Sequence, residues 1–105
     1  MTFRVRIDPV AQRHIDEFAA YLRRYDEEFA IEQIERLDRV IALNLGESPL
    51  TWSYFPLTGA PYRAYLFRVG RRTHNWLIYT VDEDTRTVDL LHFWNAMRDP
   101  EALEL

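Results

Sequence analysis

Residues 46–61, GESPLTWSYFPLTGAP, hold three of the chain's five prolines and two of its three glycines. No regular element can run through such a stretch, because proline removes a backbone donor and fixes φ while glycine raises the entropy lost on ordering. The chain is divided there. Apolar residues recur at helical spacing through most of the first part and at every second position in the second. An α+β fold with its helices and most of its strands segregated along the sequence follows. At 105 residues the chain has one domain's length, and 1–105 reads as a single domain.

The first part opens on TFRVRI, where Phe3, Val5 and Ile7 alternate with Arg4 and Arg6 as in a half-buried strand. Asp8 then Pro9 is a helix start: the carboxylate accepts from an orphan amide, and proline suits the first helical position. The helix is predicted from about Pro9 to Arg24, with Ala11, Ile15, Phe18, Leu22 and Tyr25 forming its apolar stripe. Asp26 caps a second helix, with Ala30, Ile34, Leu37, Ile41 and Leu45 facing inward and Gly46 expected as a left-handed stop. Glu32 with Arg36 and Glu35 with Arg39 have the i, i+4 spacing of exposed ion pairs. The two helices make a hairpin. In the connection that follows, Trp52, Tyr54 and Phe55 are expected either to close the core or to offer a stacking surface.

Three β-rich runs complete the chain: Tyr62 to Val69, Thr73 to Val81 and Arg86 to Asn95. The separators GRR and DEDT are short enough for hairpins, so the runs form an antiparallel meander. In the middle strand Asn75, Leu77, Tyr79 and Val81 share one face and His74, Trp76, Ile78 and Thr80 the other. Strict alternation in the last strand groups Val88, Leu90, His92 and Trp94 against Leu91, Phe93 and Asn95. Both faces are largely apolar. A sheet with helices on one side normally leaves the other polar, so a second cover is expected, from a partner segment or from a homodimer.

Charge is distributed unevenly. All the basic residues are arginine; residues 1–61 hold seven against ten acids, residues 62–98 six against four, and residues 99–105 three acids alone. A strongly basic nucleic-acid module would carry its excess over the whole domain. With no cysteine, disulfides, thiol nucleophiles and cysteine-bound zinc are excluded. Histidines 14, 74 and 92 lack metal-ligand spacing, the acidic run 82–84 lacks the calcium-loop pattern, and no phosphate-binding loop, dinucleotide fingerprint or serine elbow occurs. Neither a metal nor a cofactor is expected. No apolar run reaches bilayer length and the N-terminus lacks a signal-peptide core, so no membrane association and a cytoplasmic location are expected.

The order strand, helical hairpin, irregular connection, three-strand meander (β-α-α-β-β-β) resembles the RelE/ParE superfamily of type II toxin–antitoxin toxins, the plasmid stabilisation proteins, over essentially the whole chain. IDPVAQRHIDEFAAYL resembles the family's opening, Tyr62 and Arg63 the tyrosine–arginine that opens its second strand, LIYTVDEDTRTVDLL its hairpin, and FWNAMRDP the terminal motif of ParE-like members. The resemblance implies a small bacterial protein that blocks growth, by inhibiting DNA gyrase in ParE-like members or by cutting mRNA on the ribosome in RelE-like ones, and that a cognate antitoxin neutralises. Trp76 and Thr80 stand where many relatives carry arginine, and Asn95 stands where the terminal motif often has a histidine. Asparagine cannot titrate as a general base. These departures favour gyrase inhibition by protein contact over RNA cleavage, with a non-toxic member that only binds its partner as a third reading.

Candidate site residues follow. Arg63, Arg68 and Arg98, together with Arg71 and Arg72 at a hairpin turn, are the phosphate- or target-binding candidates, and His74 and His92 could move a proton. Arg63 and Arg98 alone coincide with family motif positions, although Arg98 could instead pair with Asp99 or Glu101, and a hydrogen-bonded, largely buried role is the bland reading of His92. Trp76, Ile78, Leu91 and Phe93 are the partner-binding candidates on the apolar sheet faces.

Overall fold

A computed structural model describes residues 2–56, 59–71, 73–98 and 103. Strand β1 (Arg4–Ile7) leads into helix α1 (Pro9–Arg23), helix α2 (Glu27–Val40) returns, and strands β2 (Arg63–Val69), β3 (Thr73–Asp82) and β4 (Thr87–Asn95) follow. The sheet has the order β1-β4-β3-β2; β1 lies parallel to β4 and the other pairs are antiparallel. The helix starts fall where the capping residues place them. The Asp8 carboxylate accepts from the Val10 amide at 2.9 Å and that of Asp26 from Phe29 at 3.1 Å.

Both helices lie on one face of the sheet. Ala11, Ile15, Phe18 and Leu22 of α1, with Ala30 and Leu37 of α2, pack on Phe67, Leu77, Tyr79, Val88, Leu90 and Phe93. Tyr25 leaves the predicted stripe: it is 75% exposed and sits edge-on to Tyr21 beyond the end of α1. Gly46 is not the left-handed stop that its position suggested. The chain widens into a π-helical turn over Ile41–Leu45, and Gly46 has right-handed helical angles, φ −76° and ψ −37°. Glycine is required there for space, because a Cβ would collide with the Ala42 carbonyl oxygen. The helix-surface pairing expected of Arg36 gives way to a bridge to the sheet. Its guanidinium donates to Gln33 Oε1 and to the Arg68 carbonyl and lies 4.1 Å from the centre of the Phe67 ring.

The acidic run after β3 is a hairpin turn, with the Asp82 carboxylate accepting from the Asp84 and Thr85 amides and Arg86 at φ 53°. Between β3 and β4 the register shifts: Ile78 pairs with His92 but Tyr79 pairs with Leu90, so Leu91 is an extra residue. That bulge overturns the strict alternation expected for β4. Val88, Leu90 and Phe93 all enter the helix-side core, whereas Trp94 joins Ile78 on the opposite face. His92, cross-strand from Ile78, therefore lies opposite Leu90 rather than beside it.

The outer face has its cover from the same chain. Phe55, Ala64, Ile78 and Trp94 form a second buried cluster, with Tyr62, Trp76 and Leu103 packed against it. Phe55 is held by its amide on the Tyr62 carbonyl at 2.6 Å, and the Ala64 amide donates to the Ser53 carbonyl at 3.0 Å. The proline-rich connection folds back over this part of the sheet.

Candidate functional site

Arg63 and Arg98, the two arginines at family-like positions, lie far apart. Arg63 is opposite Tyr79, while β4 ends opposite Asn75, four residues or about 13 Å away along β3 at the usual strand rise, and Arg98 lies beyond that end. Arg63 is a strut for the connection. Its Nη1 donates to the Trp52 carbonyl at 2.7 Å and more weakly to Leu50, and its guanidinium lies 4.4 Å from the centre of the Tyr54 ring. Beside it the Tyr79 hydroxyl donates to the Pro49 carbonyl at 2.6 Å, and burial pushes its pKa up. Of the three connection aromatics, Phe55 is buried, Trp52 is partly buried with its Nε1 on the Asn44 carbonyl at 2.9 Å, and Tyr54 is half exposed. Two close the core; only Tyr54 offers an exposed ring.

Arg68 and His74 are cross-strand neighbours at the other end of the sheet, where the His74 carbonyl also accepts from the Ala96 amide. Arg71 lies in the β2–β3 turn as read, while Arg72, Asp99 and Glu101 lie outside the described residues. Among the partner-binding candidates, Ile78 is sealed under Phe55, and Phe93 belongs to the helix-side core and reaches the surface only where it lines a cleft beside Phe18. Trp76 is partly buried at the margin of the outer cluster, edge-on to Phe55 at 5.8 Å, and Leu91 is the bulge residue. No group of three histidine, cysteine or acidic side chains among the described residues could hold a metal, and no described helix is long and apolar enough to cross a membrane.

Polar side chains converge elsewhere, at the junction of α1 with the ends of β3 and β4. β1 pairs with β4 only as far as Leu90, so α1 flanks what remains of that strand edge, and its side chains reach both faces of the sheet. On the helix side Phe18 packs on Phe93, rings 5.1 Å apart; on the other, His14 stacks on His92 at 6.2 Å and meets Trp94 edge-on at 6.3 Å. Arg98 covers the Trp94 ring at 4.6 Å. A cleft of 260 Å³ opens here, lined by His14, Glu17, Tyr21, Thr73, Asn75, Asn95 and Arg98 over a floor of Phe18 and Phe93.

Three polar atoms around this junction are buried without a hydrogen-bond partner among the described residues: His14 Nδ1, Asn75 Nδ2 and Trp94 Nε1. Such groups each cost about 1–3 kcal/mol, which makes their concentration in one place informative. Burial lowers the His14 pKa below 6.5; Glu17 opposes that shift, and His92, Arg13 and Arg98 add to it. The ring is therefore neutral at pH 7. The sequence reading picked out Arg98 and His92 but missed His14, Tyr21 and Asn75. His14 and Tyr21 flank Phe18 of the buried stripe on one ridge of α1, whereas Asn75, in β3, had no such signal; what the ridge faces depends on how α1 crosses the β4 edge. No family model matches the chain, and no curated protein matches it.

Proposed function

We propose that the chain is a RelE/ParE-like toxin of a type II toxin–antitoxin module, located in the cytoplasm, that inhibits growth by binding DNA gyrase and is neutralised by a cognate antitoxin. The order β-α-α-β-β-β, with the first strand returning beside the last, supports the family reading. The observation that carries protein contact over RNA cleavage is the fate of Arg63. Phosphodiester cleavage needs cations at the scissile phosphate and a titrating group beside the attacking hydroxyl, all within hydrogen-bond reach of one another. Here Arg63 is committed to backbone carbonyls of the connection and Arg98 lies beyond the opposite end of β3, so the two do not converge on one phosphate.

The test is to induce the chain alone and together with the neighbouring open reading frame, following growth, translation and plasmid supercoiling. The proposal expects growth arrest with loss of negative supercoiling while translation continues, and relief on co-expression. Cleaved ribosome-bound message with unchanged supercoiling would assign the ribonuclease reading instead. Normal growth on induction would assign a non-toxic, partner-binding member.

A further inference from the structure

We propose that the cleft between α1 and the ends of β3 and β4 is a carboxylate site, whose natural occupant is an aspartate or glutamate side chain of the target protein. The identity of that occupant rests on the protein-contact reading above; the site itself does not. Its donors come from Asn75, Asn95 and Arg98. Asn75 is 4% exposed, lines the cleft and carries a buried, unpartnered Nδ2. Asn95 Oδ1 accepts the Met97 amide at 2.9 Å, which fixes the side chain and leaves its NH2 group free to donate. Arg98 at the mouth contributes a planar fork suited to a carboxylate.

Size and charge narrow the choice. At 260 Å³ the cleft falls below the range of about 300–1,000 Å³ typical of small-molecule pockets, and suits one side chain whose methylenes lie on Phe18 and Phe93. Glu17 stands at the same cleft, 4.0 Å from Arg13, and its repulsion, which scales with the charge of the occupant, weighs more against a doubly charged phosphate than against a singly charged carboxylate. The exposed Tyr21 and Met97, 48% and 82% accessible, lie next to these groups and provide apolar contact for the surface around an inserted side chain.

The experiment titrates the purified chain with sodium acetate and, separately, inorganic phosphate at constant ionic strength, following the Asn75 and Asn95 side-chain NH2 and His14 ring resonances by NMR. Saturable shifts with acetate are expected, at a Kd of about 10 mM, weakened about tenfold in Arg98→Gln and abolished in Asn75→Leu. Arg98 is exposed, so its variant keeps the test valid if Asn75→Leu fails to fold. No saturable shift with acetate, or equal binding of phosphate, overturns the carboxylate site. The same variants are then assayed for gyrase inhibition, which should weaken in step. If the wild-type chain inhibits gyrase and the variants inhibit equally, the assignment of the occupant is overturned and the gyrase reading stands. If the wild-type chain leaves gyrase untouched, that reading fails, and the acetate titration alone decides the site.

Discussion

Leu77 and Ile78 are adjacent in β3 and both fully buried, yet they are sealed in different ways. Leu77 lies beneath two helices of 15 and 14 residues, each capped at its N-terminus by an aspartate. Ile78 lies beneath Phe55, from a connection held by a few backbone bonds and by Arg63, and next to Leu103. Equal burial does not mean equal resistance to opening. The helix-side core should open only with global unfolding, whereas the outer cover is the natural place for local opening, since few cooperative bonds hold it.

Substitution of the two neighbours tests this difference most strongly. Leu77→Ala should cost about 4 kcal/mol in urea unfolding, because the helices cannot collapse into the cavity. Ile78→Ala should cost about 2 kcal/mol, the irregular cover settling into part of the gap. An equal or larger loss at Ile78 would show that the outer cover resists opening as well as the helices do. Next in size is Tyr79→Phe, which leaves the Pro49 carbonyl without its donor and should cost about 1–2 kcal/mol, measured in the same way. Arg63→Met should lose about 1 kcal/mol through its bonds to the connection and leave any gyrase inhibition unchanged. Loss of inhibition without loss of stability would return Arg63 to the target-binding surface.

The smallest effect is a pH dependence. His14 has its pKa lowered on folding, chiefly by burial, against Glu17 and in the same sense as His92, Arg13 and Arg98. The unfolded chain therefore binds more protons below pH 6.5, and stability should fall as pH drops through 6.5 towards the lowered value. His14→Gln should flatten that slope in urea midpoints taken across the range; an unchanged slope would show that His14 is not its source.

Much of the architecture was legible because it depends on local chemistry. Asp8, Pro9 and Asp26 fix the helix starts, and the turn residues after Val69 and Asp82 fix the hairpins. What escaped depends on contacts distant in sequence. One inserted residue, Leu91, reverses the facing of His92 and Trp94, and nothing in the composition of β4 marks it as a bulge. Two uses of glycine, positive φ and close approach, look identical in a sequence, so Gly46 could be placed at the helix end but not given its reason. The apolar outer face correctly required a cover; that Phe55 supplies it could not be read before the connection was seen to fold back. The cleft was hidden for the same reason, since His14, Asn75 and Arg98 meet only once α1 lies along the free end of β4.

In the proposed function this chain acts by binding a protein and not by cutting RNA. The most direct measurement adds the purified chain to DNA gyrase with relaxed plasmid and ATP, and in parallel to ribosomes translating a defined message. Supercoiling should be inhibited in proportion to added chain while the message stays intact. Cleaved message with supercoiling at its full rate would contradict that function.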